Sequence, residues 1–380
     1  MKVTPWDVEG KVDYDKLVKE FGTSVIDDKM RARIEKDCKT GLPAFIRRGY
    51  FFSHRDLDKV LEDHEKGRGF FVYTGRGPSN KMHIGHLPSF MLAKWLQDKF
   101  GVNVYIEMTD DEKFLFNREL TLKQVDDFGN DNILDIAALG FDPDKTFIFK
   151  DIEYVKNVYP MLMRISRKIT FSTAKAVFGF TNESNTGMIF FPSYQVMPTL
   201  FEKKRCLIPN AIDQDPYWRI QRDMAESLGH FRTAAMHSKF LPPLTGIEGK
   251  MSASKGETAI WLDDDEKTVR NKVMKYAFSG GQPTVEEHRK LGGNPDVDVS
   301  FQWLYLLFEE NDEEVERIRT EYKAGRILSG EMKQLLVDRL NAFLKTHREN
   351  KARAKPLAER MMYSGKLASK MWKTTFGNEE

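Results

Sequence analysis

Apolar residues between 67 and 150 alternate between short continuous runs and longer stretches at helical spacing. Gly69-Phe70-Phe71-Val72-Tyr73 has the pattern of a buried strand, predicted over 69–74. Leu87 to Phe100 has the pattern of a helix, with Pro88 in its first turn and Gly101 just past its end, predicted over 85–100. The alternation continues with a strand over 102–107, a helix over about 121–139 and a strand over 146–149. Strands joined by helical crossovers imply an α/β fold with a parallel sheet. Tyr154, Val158, Met161, Leu162, Ile165 and Ile169 fall near helical spacing and predict a helical insertion, which extends over about 153–200. Cys206-Leu207-Ile208-Pro209 is a short strand returning to the sheet, and Ala259-Ile260-Trp261-Leu262 is another short apolar piece.

From Asp265 onward the pattern is helical. Asn311 or Asp312 caps a helix carrying Val315, Ile318 and Tyr322, with Gly325 beyond it. Ser329 caps the next, with Met332, Leu335, Leu336, Leu340, Phe343 and Leu344 on one face as bundle core. Three segments are expected: an N-terminal extension over 1–66 packing on the core, the sheet domain over 67–264, and an all-helical domain with its tail over 265–380. The sheet domain must carry the chemistry, because ligands of open parallel sheets bind at the carboxyl ends of the strands.

Candidate chemistry lies at one of those ends. His83-Ile84-Gly85-His86 stands where the first strand hands over to a helix N-terminus, after the glycine-bearing loop Thr74-Gly75-Arg76-Gly77-Pro78-Ser79. Free N–H groups and the helix dipole favour phosphate there. Far downstream, Lys250-Met251-Ser252-Ala253-Ser254 is flanked by Gly246, Gly249 and Gly256. A phosphate-facing turn on the scaffold and a cationic loop elsewhere point to an enzyme that uses ATP.

Composition adds little. The chain is 41% hydrophobic and 31% charged with a formal net charge of +2, which neither requires nor excludes nucleic acid. Residues 331–380 are locally basic, with eleven Lys+Arg against six Asp+Glu. Two cysteines without metal-ligand spacing predict neither disulfide nor structural zinc and a cytoplasmic location. No apolar run approaches membrane-spanning length, and the N-terminus has no signal region.

These residues resemble a known family. Tyr73 to Ser79 followed by His83-Ile84-Gly85-His86 is similar to the first signature of class I aminoacyl-tRNA synthetases in their eukaryotic and archaeal tryptophanyl form. Met108-Thr109-Asp110-Asp111-Glu112-Lys113, Ala211-Ile212-Asp213-Gln214-Asp215-Pro216-Tyr217, the Lys250 segment, and Ala277-Phe278-Ser279-Gly280-Gly281 running on to Asp296–Ser300 agree with it in order and spacing. The resemblance covers about Val12 to Leu344. It implies a Rossmann-like catalytic domain, a helical anticodon-binding domain and a homodimer. It implies ATP-dependent activation of L-tryptophan to tryptophanyl-adenylate with release of pyrophosphate, then transfer to tRNA(Trp). Mg2+ would accompany ATP, with no metal ligands on the protein and no prosthetic group.

The resemblance also implies residue roles. Thr74, Gly75, Arg76, Gly77, His83, Gly85, His86, Asp213, Lys250, Met251 and Ser252 are expected at ATP. His83, His86, Lys250, Ser252 and Ser254 are expected to carry catalysis by positioning and by stabilising charge, since the attacking carboxylate belongs to the substrate. The usual second lysine of the loop is Ala253 here, which leaves Lys250 as its main cation and Lys255 as an assistant. Tyr73, Gly75, Glu107, Glu112, Gln195 and Gln214 are expected at tryptophan. Tyr73 and Glu107, at neighbouring strand ends, are placed to converge, with Glu107 accepting the indole N–H, which is a donor only; animal relatives usually have glutamine at the position of Glu107. Lys113 fits either the substrate carboxylate or its acidic neighbours. Lys345, Arg348, Lys351, Arg353, Lys355 and Arg360 form the densest basic run for tRNA. The competing readings are a tyrosyl enzyme of the same fold, a nucleotidyltransferase without tRNA, and a non-catalytic synthetase paralogue.

Overall fold

In the computed structural model the described residues are 12–251 and 256–376, together with the backbone of Lys2–Val3 and Val8–Glu9, which pair as a small antiparallel ribbon. The core is a seven-stranded sheet. Its strands are β1 (Ser24–Val25), β2 (Phe51–Arg55), β3 (Phe70–Arg76), β4 (Val104–Met108), β5 (Thr146–Lys150), β6 (Arg205–Ala211) and β7 (Ala234–Ser238), in the spatial order β1-β2-β7-β6-β3-β4-β5. Strands β7 to β5 run parallel; β1 and β2 join antiparallel at one side. β4 and β5 are buried at every position, as expected of parallel strands covered on both faces.

The chain runs outward from β3 to β4 and β5, then returns to the other side of β3 at β6. That reversal is the topological switch where doubly wound sheets open a crevice. Here β3 and β6 pair only from Phe70–Arg205 to Val72–Leu207 and then separate. Thr74 Oγ1 donates to the Pro209 carbonyl at 3.2 Å across the gap they leave.

The strands and helices predicted between 67 and 150 are present with small shifts of boundary. The helix expected over 85–100 is a short 3-10 turn, Ile84–His86, leading into α1 (Leu87–Phe100), which ends on Gly101 at φ 64°. Further elements are α2 (Asp110–Phe116), α3 (Leu122–Ala137), an insertion of α4 (Asp151–Ser166), α5 (Phe171–Phe178) and α6 (Thr186–Val196), then α7 (Asp215–Met224). In the helical half, α8 (Asp312–Lys323) is capped by Asn311, whose side chain accepts from the N–H groups of Glu313 and Glu314. Ser329 is the first residue of α9 (Ser329–Lys351) rather than its cap.

Three features correct the expected segmentation. Strands β1 and β2 belong to residues 1–66 and hydrogen-bond into the main sheet, so a boundary at 67 divides one sheet. The last helix, α10 (Lys366–Lys373), turns back onto the face of the sheet, where Met371 and Trp372 pack with Phe147 and Tyr154. The helical half is not separately cored either, since Trp303, Leu336 and Leu340 share one continuous apolar cluster with Leu87 and Phe90 of α1.

Candidate active site

A cavity of about 340 Å³ opens where β3 and β6 part. Its phosphate-suited end is formed by the loop after β3 and the imidazole turn. Thr74, Gly75, Arg76 and Gly77 line it from one side, and His83, Gly85 and His86 from the other. The two imidazoles stack with ring centroids 3.6 Å apart. His83 Nδ1 accepts the Gly85 N–H at 3.2 Å, and His86 Nδ1 accepts the His83 N–H at 3.1 Å. With both Nδ1 atoms acting as acceptors, each neutral ring carries its proton on Nε2. Burial, reinforced by Arg76, pushes His83 down to about 3 and His86 well below its ordinary value. Both are therefore neutral Nε2–H donors at physiological pH.

Arg76 supplies charge. Its Nη1 donates to the Gly77 carbonyl, while buried Nε and Nη2 have no partner among the described residues. Burial pushes its pKa down to about 10, against the pull of Glu112 and Asp135. A buried guanidinium with open donors is costly unless an anion meets it. Across the cavity Lys250 Nζ lies 3.3 Å from Asp213 Oδ2, whose carboxyl is raised by burial and lowered by Lys250. Met251 lines the wall beside it, and Gly249 before it adopts φ 84°. Beyond the loop, Ile84 N–H donates to the Ile260 carbonyl and Leu262 N–H to the Met82 carbonyl, both at 3.0 Å, so the loop's far end is fixed to the imidazole turn. Ser252 and Ser254 lie outside the described residues. A Cβ at residue 85 would stand 3.1 Å from the His83 ring and 3.4 Å from Met251. Gly85 thus keeps a flat space between them.

The other end is aromatic. Tyr73, Phe191, Tyr217 and Trp218 line it, with the Tyr73 and Trp218 rings edge to face at 5.8 Å. Tyr73 O–H donates to Glu107 Oε2, and Gln195 Nε2 donates to the same oxygen at 2.8 Å and also to the Tyr73 oxygen. Glu107 is fully buried and stands behind this wall; Tyr73, Gln195 and Gln214 reach the cavity surface. Glu107 Oε2 would be 3.7 Å from a Cβ on residue 75, so the absence of one at Gly75 leaves the carboxylate close to the cavity floor. Between the two ends Glu112 pairs with Lys113 at 2.7 Å. Lys113 also crosses Gly77 so closely that a Cβ there would collide with its Cε.

The expected site residues that are described thus converge on one cavity, with Glu107 directly beneath it. Several lining residues had escaped the sequence reading. Tyr50 immediately precedes β2 and Lys239 immediately follows β7, strands that the sequence pattern does not reveal, and Lys239 is held below its ordinary pKa by burial. Tyr217 closes the Ala211–Tyr217 motif without a role assigned to it there, and Trp218 follows it directly, so that adjacency is the usable signal. The basic run on α9 and beyond is partly consumed internally. Lys351 is bound by Asp131, Asp135 and Asp263, Arg348 by the Asp264 carbonyl and Arg360 by Asp144, whereas Lys345, Arg353 and Lys355 are exposed.

Comparison with known proteins agrees. A family model described as tRNA synthetases class I (W and Y) matches residues 65–345. The tryptophan–tRNA ligase of Saccharolobus solfataricus is 60% identical over 370 residues, covering 97% of both chains. That of Sulfolobus acidocaldarius is 59% identical over 371 residues, 98% of this chain and 97% of that protein. The crystal structure of Plasmodium falciparum tryptophanyl-tRNA synthetase superposes with a TM-score of 0.88 at 40% identity, covering 94% of this chain and 99% of that one. With its sheet, its imidazole turn and its aromatic slot in place, the chain belongs to the tryptophanyl branch of the class I aminoacyl-tRNA synthetases, the tryptophan–tRNA ligases.

Proposed function

We infer that this chain joins L-tryptophan to tRNA(Trp) in two steps. In the first, a tryptophan carboxylate oxygen attacks the α-phosphorus of ATP in line, the bond to the β-phosphate oxygen breaks, and pyrophosphate leaves. In the second, a terminal ribose hydroxyl of the tRNA attacks the activated carbonyl and AMP leaves. The observation that carries this reading is the pairing of two neutral Nε2–H donors with Arg76 and Lys250 around one cavity that continues into an aromatic slot. Donors and cations fixed before reaction stabilise charge developing on phosphate oxygens. Lys250 leaves Asp213 to meet the departing pyrophosphate, and Asp213 then serves the ribose. Ser252 and Ser254 add donors from the same loop. Glu112 meets the substrate ammonium together with Gln214. Gln195 braces Tyr73 and Glu107; Tyr73 meets the indole N–H at the cavity surface, and Glu107 acts on it from behind. Mg2+ arrives with the ATP phosphates.

Other parts of the reading have their own supports. Ile152, Tyr159 and Met163 are exposed on one face of α4, an apolar stripe suited to a second copy in a homodimer. Cys38 and Cys206 are buried free thiols, in keeping with the cytoplasm, and no described helix is long and apolar enough to cross a membrane.

The test is amino-acid-dependent exchange of labelled pyrophosphate into ATP. Exchange is expected with tryptophan and not with tyrosine or phenylalanine, and Glu107→Leu should erode that discrimination. A polar site that leaves a buried group unpaired rejects the wrong ligand by up to roughly 10⁴–10⁵, as in the known tyrosyl-enzyme case. Exchange supported equally by tyrosine would overturn the reading.

A further inference from the structure

The segment 259–264 backs the imidazole turn. It is bonded to that turn at Ile84 and Met82, and Trp261 forms a bridge with His83. The Trp261 ring meets the His83 ring edge to face, with centroids 5.8 Å apart. His83 therefore has two ring neighbours, His86 stacked on it and Trp261 set edge-on. The Nδ1 bond to the Gly85 N–H fixes which nitrogen carries the proton. The ring contacts fix where the Nε2–H points.

The indole is itself held by a closed turn. Trp261 N–H donates to Asp264 Oδ2 at 2.9 Å, and Asp264 N–H donates back to the Trp261 carbonyl at 3.1 Å. The same carboxylate oxygen and the Ala259 carbonyl are both met by one ammonium, Lys272 Nζ, at 2.7 and 2.8 Å. Lys272 thus ties together both ends of the segment. It stands on the helix Glu266–Tyr276 of the helical half, whose Val269 and Val273 are fully buried in the apolar core. The side chains of Lys272 and Asp264 are only 14% and 11% exposed, so water cannot freely replace the bonds between them. A packing contact alone would let the segment slide; two charge-assisted bonds from one fixed point hold it in place.

We propose that Lys272 is a positioning residue for amino-acid activation: through Asp264 and Trp261 it sets the orientation of His83 and so aims the Nε2–H at the phosphate oxygens of ATP. The inference rests on the reading of His83 as a phosphate donor. Trp261, Asp264 and Lys272 are not among the described residues that line the cavity. The helical half thereby contributes to the first step of the reaction from outside the site. Catalysis by a donor fixed in advance depends on its aim, and about 1 Å of misplacement costs roughly 10²-fold.

The experiment is pyrophosphate exchange by the full chain, with tryptophan binding measured beside it by calorimetry. Lys272→Met keeps the length of the side chain and removes the ammonium. Its kcat should fall by about tenfold or more, while tryptophan affinity stays at the wild-type value, because no residue of 259–264 lines the aromatic end. Trp261→Phe keeps an aromatic edge and should exchange like the wild type, whereas Trp261→Leu should match Lys272→Met. The deciding measurement is a double-mutant cycle. In a His83→Asn background, Lys272→Met should cost nothing further. Equal costs in the two backgrounds, or a fall in kcat matched by loss of tryptophan affinity, would mean that Lys272 only supports the fold, and the proposal is overturned. Should Lys272→Met not fold, Asp264→Ala cuts the same link and takes its place in the cycle, with the same outcomes. His83→Asn by itself is the separate control. If it exchanges like the wild type, the reading of His83 has failed; if it is impaired while Lys272→Met is not, only the role of Lys272 has failed.

Discussion

An imidazole can offer a ligand either a proton or a lone pair, and for His83 and His86 the backbone decides which. Each Nδ1 is engaged by an N–H of the same turn, so both rings present Nε2–H. Because His83 titrates near 3 rather than 6.5, pyrophosphate exchange should show no acidic limb at the ordinary histidine value. A pH–rate profile checks this, and a limb near 6.5 that vanishes in His83→Asn would contradict it. The same shift has a stability consequence. Below pH 6.5 the unfolded chain binds protons that the folded imidazoles refuse, so stability is full above that value and declines as pH falls toward 3. Lys250 is the second residue-scale case. Lys250→Ala should remove about 2.7–4 kcal/mol of transition-state stabilisation, by analogy with loss of one oxyanion donor. Steady-state exchange should show it as a fall in kcat, with tryptophan binding retained.

At the scale of elements, a buried polar chain joins the antiparallel side of the sheet to the helix that carries Asp213 and Gln214 at its head. Ser53 on β2 meets His237 Nδ1 on β7 at 3.0 Å, and His237 Nε2 lies 3.4 Å from Asp215 Oδ1 at the start of α7. Arg55 on β2 completes it with a two-pronged pair to Asp215 at 2.8 and 2.9 Å. Burial pushes the Asp215 carboxyl up, but His237 and Arg55 outweigh burial and hold it below 3.8. Its stabilisation is therefore present above the unfolded value and is lost as pH falls through the folded one. Arg55→Ala strands a buried carboxylate and should destabilise the fold by about 3–5 kcal/mol. Acid unfolding followed by circular dichroism should then begin at higher pH than in the wild type. Neither β2 nor β7 was visible in sequence. Phe51–Arg55 and Ala234–Ser238 mix small, polar and aromatic residues, and their strand character comes from neighbours that pair with them rather than from alternation of their own.

At the scale of the whole molecule, the helical half is fastened to the sheet domain by charge as well as by its apolar core. His347 Nε2 contacts Asp135 Oδ1 at 2.9 Å, and Lys351 is ringed by Asp131, Asp135 and Asp263. That attraction outweighs burial and holds the Lys351 ammonium above its ordinary pKa. The basic run therefore divides into internal fasteners and an outward set. Aminoacylation should weaken steeply with added salt while pyrophosphate exchange does not. Lys345→Glu or Arg353→Glu should flatten the salt slope by about 0.7–0.9 per lost phosphate contact. Lys351→Ala should instead lower Tm and leave that slope alone, as thermal unfolding and tRNA titrations would report.

The sequence by itself determined the alternation of strands and helices from 67 to 150, the imidazole turn at a strand end, and the family, because these depend on local periodicity and short fixed motifs. Local order also placed Tyr73 and Glu107 at adjacent strand ends. Tertiary structure alone decided that β1 and β2 complete the sheet, that α10 returns to cover it, and that Glu107 stands behind Tyr73 instead of facing the cavity. It also decided which ring nitrogens are donors and which basic residues are already paired. Those outcomes depend on burial and on partners distant in the chain, and neither is encoded in the spacing of residues along it.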